Sequence, residues 1–338
     1  MVKGDELRTH RETKGLSQSE FAVWLNERLQ RRYDKQKISR WENDAERIPA
    51  AVDALMTREI NGPEPERLGG PALVVVVANQ KGGCAKTVSA VNIASALAIK
   101  GYATMLIDCD PQANATQHLG IDSYTMETEG KTLYYVMHGD LELDDILVTV
   151  PESGLRVAPS SIRLAETEVE LGKEAGGDFI MKEKIAAAKR SFDFIVIDTP
   201  PNIGELTKNA MVAAHTAVIP CQTEKFSLLG MAFLLENVTK IRRRMNTGLS
   251  VLGIVPTIFK QRERNDREVL EQIHEEYGPH LRVFDPVPKA SVYAQATSVG
   301  RAAVEAMPDV AGAAVYRDVA SALAEERTAR IKEVDRVA

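Results

Sequence analysis

The chain has 338 residues, 44% of them hydrophobic and 27% charged, and a formal charge of −6. That length suits one large domain with an appendage, and the acidic balance excludes a global pull toward nucleic acid, so any DNA contact must come from local basic patches. Cys84, Cys109 and Cys221 form no CxxC pair, and no apolar run approaches the roughly 18 residues of a membrane span, so disulfide-framework, cysteine-metal and membrane-spanning classes are set aside and a cytoplasmic protein is expected.

In chain order, Glu6 to Thr13 is helically periodic and Gly15 ends it, after which Ser17-x-x-Glu20 reads as a capping box that starts a second helix. Phe21, Ala22 and Leu25 fall on one face of that helix, and Ile38 and Trp41 supply the matching face of a third, Lys35 to Glu42. The connection between them is expected to be long, from Asn26 to Lys35. Asn61 to Pro71 then brings three prolines, three glycines and no apolar periodicity, which reads as a linker between a head, 1–60, and a body, 72–338.

The body alternates apolar strand-like runs with helical patterns. Strands are expected at Leu73–Ala78, Ala103–Ile107, Leu155–Ala158, Phe194–Ile197, Thr216–Pro220 and Leu252–Thr257, and a terminal helix at Ala311–Arg336. Such alternation predicts an α/β fold, a mostly parallel twisted sheet flanked by helices, with the chemistry in loops at strand C-termini, joined to a small all-α head. The most informative segment is Val74 to Thr87, where a β-branched run feeds Gln80-Lys81-Gly82-Gly83-Cys84-Ala85 and Lys86-Thr87 opens a helix. A strand, a glycine turn and a helix N-terminus in that order make a cradle for a nucleotide triphosphate.

The strict P-loop pattern fails, because its two glycines would fall on Gln80 and Ala85. The loop matches K-G-G-x-x-K-[ST] instead, and so resembles the deviant Walker A of the ParA/MinD family. Leu106 to Asn114, Ile195 to Pro201 and Val218 to Glu224 resemble that family's later motifs in order and spacing. The resemblance implies that Gly82, Gly83, Cys84 and Ala85 wrap the phosphates of ATP, that Lys86 binds the β/γ-phosphates, and that Thr87 and Asp198 hold Mg2+, Asp198 through water. It further implies that Asp110 positions the attacking water, that Asp108 supports the metal from behind, and that Lys81 reaches the phosphates of a second subunit in an ATP-dependent homodimer. The nitrogenase iron protein shares the loop but needs paired cluster cysteines, and the mixed-charge tail after Ala324 lacks the anchoring face of a MinD-like membrane helix, so no membrane partner is expected.

The head, in Arg11, Leu16-Ser17-Gln18, Phe21-Ala22 and Ile38-Ser39-Arg40-Trp41, resembles the Xre/lambda-repressor helix–turn–helix. That resemblance puts Gln36, Lys37 and Arg40 on DNA bases or phosphates and Gln18 on a backbone phosphate. Arg28 to Arg40 carries six basic residues against Asp34. In the body, the resemblance places Lys240 to Arg244, Arg262 and Lys289 on a sequence-blind DNA face, with Arg242, Arg243, Arg262 and Lys289 as contacts; Val292 stands where relatives often place arginine. The resulting expectation is a nucleoid-associated, ParA-type partition ATPase whose hydrolysis a ParB-like partner stimulates. The alternatives are a transcriptional regulator that nucleotide tunes through the head, and a small-molecule ligase.

Overall fold

The computed structural model describes residues 3–29, 31–61 and 69–337, so most of the expected linker, 62–68, lies outside the described residues. The chain divides into two compact units, Met1–Glu64 and Pro65–Ala338.

The first unit holds α1 (Gly4–Thr13), α2 (Gln18–Leu29), α3 (Lys35–Glu42) and α4 (Ala50–Asn61). The Ser17–Glu20 capping box forms, with Ser17 N–H donating to Glu20 Oε2 at 2.8 Å and Glu20 N–H to Ser17 Oγ at 3.3 Å. Leu7, Phe21, Leu25, Ile38 and Trp41 are fully buried, and α4, which had no reading in the sequence, closes the cluster with Val52 and Met56. The long α2–α3 connection is corrected: α2 continues to Leu29, and Asp34 already caps α3 by accepting from Lys37 N–H at 2.9 Å. The cause is Asn26, whose amide sits on the helix and clasps Tyr33, accepting from its N–H at 2.6 Å and donating to its carbonyl at 2.8 Å. A polar residue that reads as a loop former is here a staple.

The second unit is built on β1 (Leu73–Val77), β2 (Thr104–Asp108), β3 (Val148–Thr149), β4 (Arg156–Ala158), β5 (Phe194–Asp198), β6 (Thr216–Gln222), β7 (Ser250–Thr257) and β8 (Arg282–Val283). They form one sheet in the order β3-β4-β2-β5-β1-β6-β7-β8, parallel apart from the β3–β4 pair. The six expected strands are present; β3 and β8, two residues each, are too short to show a pattern in the sequence. Every residue of β1, β2 and β5 is buried, which is why they read as unbroken apolar runs. Val74, Val76, Ile195 and Ile197 face one helical layer, while Val75, Val77, Phe194 and Val196 face α5 (Lys86–Ile99) and the helix Ala311–Val337.

That last helix is tied down by a buried ion pair. Arg327 Nη2 lies 2.7 Å from Asp193 Oδ1 and 2.5 Å from the Gly69 carbonyl, at the edge where the strands begin. Truncating Arg327 to alanine leaves the Asp193 carboxylate buried without that counter-charge, so chemical denaturation should show a loss of about 3–5 kcal/mol.

Candidate nucleotide-binding site

The C-terminal ends of β1, β2, β5 and β6 meet at one edge of the sheet. β5 pairs with both neighbours so that Asp198 stands beside Asp108 on one side and Val77 on the other. The loop from β1 is clamped to this edge by Asn79, whose Nδ2 donates to the Pro220 carbonyl at 2.6 Å while Oδ1 accepts from Lys81 N–H at 3.1 Å. Thr257 Oγ1 fixes its far side on the Cys84 carbonyl at 2.9 Å. Gly83 turns the chain at φ 74°, and Ala85 follows in the left-handed region at φ 65°, ψ 33°, immediately before Lys86 opens α5.

Ala85 is an alanine in a conformation that favours glycine. The left-handed Cβ costs about 1–2 kcal/mol, and glycine gives back about 0.5–1 kcal/mol through unfolded-state freedom. Ala85→Gly should therefore stabilise the unit by up to about 1.5 kcal/mol, measured by thermal or urea unfolding without nucleotide.

The acids divide by their partners. Asp108 Oδ2 accepts from Thr116 N–H at 2.8 Å and Thr116 Oγ1 at 2.6 Å, and its Oδ1 from Asp110 N–H at 3.2 Å. Burial pushes its carboxyl up to about 6, with those hydrogen bonds pulling the other way. Asp110 is 5% exposed, and its Oδ1 accepts from Gln112 N–H at 2.9 Å. Asp198 is fully buried, and neither of its oxygens meets a hydrogen-bond partner among the described residues. Burial and then the Asp108 charge raise the Asp198 carboxyl well above the usual range, opposed by the nearby Thr87 hydroxyl and Lys86 ammonium. An unpartnered buried carboxylate beside a threonine hydroxyl is a hard-oxygen donor pair, and it fits Mg2+. Asp108, whose oxygens are already engaged, fits a positioning role.

The two lysines of the loop point to different places. Lys86 Nζ donates to the Lys81 carbonyl at 3.0 Å and so sits inside the cradle. Lys81 Nζ leaves it, pairing with Glu224 Oε2 at 2.5 Å and donating to Ser227 Oγ at 3.2 Å. Glu224 closed the last quoted motif, yet nothing in its spacing signalled that it would hold Lys81. Asn79, Thr116 and Thr257 were likewise given no role from the sequence. Cys84 Sγ is buried and turned onto the Lys81 carbonyl, so only its backbone faces the cradle.

A family model described as an AAA domain matches residues 72–251. The chromosome-partitioning ATPase Soj of Treponema pallidum is 36% identical over 252 residues, which are 74% of this chain and 96% of that protein. The chain belongs to the ParA/MinD family of P-loop ATPases. The chromosome partitioning protein ParA of Caulobacter vibrioides is 34% identical, over 68% of this chain and 86% of its own. The crystal structure of cobyrinic acid a,c-diamide synthase from Mycobacterium smegmatis with bound ATP analog and magnesium matches with a TM-score of 0.64 and 32% identity, over 75% of this chain and 94% of that one. A synthase on the same fold separates the nucleotide site of this ParA-type ATPase from the task to which hydrolysis is coupled.

The expected DNA residues fall into three places. On the first unit Gln36 and Arg40 are exposed on α3, and Lys37 and Arg40 both lie near Glu46. Gln18 is engaged within the fold: its Nε2 donates to Glu42 Oε2 at 2.8 Å, beside the Arg11–Glu42 ion pair. On the second unit, Arg262 and Lys289 are exposed in the loops following β7 and β8, beyond the strands' C-terminal ends. Arg242, Arg243 and Arg244 end the helix Lys225–Arg244 that leads into the start of β7, so they lie at the opposite edge of the sheet. The single basic face expected from the sequence is thus split along β7 by about 23 Å of strand. Val292 is 9% exposed and packs inward. No described helix is long and apolar enough to cross a membrane.

Proposed function

We propose that this ATPase works as a DNA-partitioning switch: ATP closes two copies into a sandwich, the dimer binds DNA without sequence preference, and a ParB-like partner triggers hydrolysis and release of a cargo. The observation that carries this is Lys81, a second loop lysine turned away from its own cradle toward the protein's surface. Beside it the helix Lys225–Arg244 exposes Phe226 (82%), Leu229 (60%) and Phe233 (49%), spaced to share a stripe along one side. An apolar stripe of that kind next to an outward lysine suits a face that a second copy covers.

Within each protomer, Gly82, Gly83 and Ala85 present backbone N–H groups to the phosphates, and Lys86 exchanges the Lys81 carbonyl for β/γ oxygens. Thr87 and, through water, Asp198 would hold Mg2+, which neutralises charge on the phosphate oxygens when bound. Asp110, with one oxygen fixed by Gln112, orients the attacking water on the other, and Asp108 holds that turn through the Asp110 N–H. Lys81 would leave Glu224 and Ser227 for the partner's phosphates, so that hydrolysis waits for association. Arg262 and Lys289 would contact DNA phosphates, with Gln36, Lys37 and Arg40 of the head reading an operator.

The test is a gel shift on random-sequence duplex. Binding in ATP that is lost in ADP, and that weakens steeply with salt, supports the switch. Binding confined to one operator in either nucleotide supports the regulator instead.

A further inference from the structure

The edge of the sheet where the strands begin carries a cluster of cations to which the ATPase cycle gives no task. His215 leads into β6, Lys189 and Arg190 follow the helix Ile180–Ala188 that precedes β5, and Arg242 to Arg244 end the helix before β7. Val74 N–H donates to His215 Nδ1 at 2.9 Å, so in the neutral ring the hydrogen is on Nε2. Nε2 then faces Lys189 Nζ at 3.4 Å, two hydrogen-bearing groups turned toward each other, with no hydrogen-bond acceptor for either among the described residues. Arg330 adds its guanidinium, donating to the His215 carbonyl at 3.1 Å, although Glu326 pairs with it. The charges acting on His215 are all positive: after burial, Lys189, Arg330 and Lys182 hold its pKa down to about 4. Burial and Lys182 likewise lower Lys189. Arg242, Arg243 and Arg244 are exposed, and Asn246, two residues on, donates to the Ala214 carbonyl at 2.7 Å, which brings the helix end beside His215.

We infer that this edge is a second binding site for the phosphate backbone of duplex DNA, centred on Lys189 and His215 Nε2 and extended by Arg190, Arg242, Arg243 and Arg244. A phosphate oxygen is the acceptor that the Lys189–His215 pair lacks. The cations precede β5, β6 and β7, and with β1 between β5 and β6 the row crosses four adjacent strands, about 14 Å at the usual spacing. That length exceeds a free phosphate ion and matches several phosphates of a duplex, which follow at about 3.4 Å of axis per strand. The inference rests on the DNA-binding reading above and adds a contact at the end of the sheet opposite Arg262 and Lys289.

The test uses Lys189→Gln in the full chain, because the glutamine carbonyl accepts from His215 Nε2–H and keeps the packing. With ATP and random duplex, the slope of log affinity against log salt should become shallower by about one, and affinity at 0.1 M salt should fall about eightfold, with basal ATP hydrolysis and melting temperature unchanged. Arg242→Gln/Arg243→Gln/Arg244→Gln should flatten the slope further. A wild-type slope in Lys189→Gln, or a lowered melting temperature with DNA binding intact, overturns the inference and leaves the cluster as a structural feature of helix ends. Equal DNA binding with altered competition by inorganic phosphate overturns it in favour of a free-phosphate site. Failure of the wild-type protein to bind random duplex in ATP sinks the switch reading itself, which is a separate result.

Discussion

Lys81→Ala is expected to remain monomeric in saturating ATP and Mg2+ and to hydrolyse it about 10³-fold more slowly than the wild-type chain under stimulation. In the nucleotide-free fold the ammonium is held by Glu224 and Ser227 within its own subunit, and Lys86 alone occupies the cradle. A cation delivered from a partner subunit neutralises charge only as it develops in the transition state, and such cations are worth about 10³–10⁵ in rate. Loss of an intramolecular ion pair that is a quarter to half exposed removes little stability by comparison. Nucleotide affinity of the monomer, measured with a fluorescent ATP analogue, should stay within about threefold, since Lys86 and Thr87 are untouched. A variant that still doubles its mass in ATP would remove Lys81 from the interface.

Asp110→Ala should give the opposite trap: a dimer that forms in ATP, binds random DNA and persists, with turnover reduced about 10²–10⁴-fold, the usual range for a positioned proton acceptor. The carboxylate lies on the turn after β2, with its own N–H held by Asp108 and one oxygen held by Gln112. It is therefore aimed by the backbone before any substrate arrives, and its removal leaves the phosphate cradle from Gly82 to Thr87 intact. Single-turnover hydrolysis and sedimentation on the same sample separate the two readouts. Normal turnover in Asp110→Ala would move the water-positioning role elsewhere.

Much of this was legible because it follows from local pattern. Strands buried on both faces leave unbroken apolar runs, so β1, β2, β5 and β6 could be found to within two residues at either end. A glycine turn between strand and helix announces the cradle. What stayed hidden depends on pairings made across the fold. Asn26 looked like the start of a loop and is a helical staple on Tyr33. α4 packs Val52 and Met56 into the first unit, though the segment shows only a weak stripe. Gln18, at a helix start, suited a phosphate but is turned onto Glu42, which lies 24 positions away in sequence. The three arginines and the Arg262–Lys289 pair carry the same charge and differ only in which end of β7 they flank, a distinction that appears once the strand direction is known. The unpaired oxygens of Asp198, the best pointer to a divalent ion, are likewise a property of its surroundings.

The proposed cycle requires two copies to close around shared nucleotide, and light scattering of the wild-type chain in Mg2+ with a non-hydrolysable ATP analogue tests that most directly. The expected mass is that of two chains in the analogue and one chain in ADP. A single-chain mass at saturating analogue, with nucleotide bound, would contradict it.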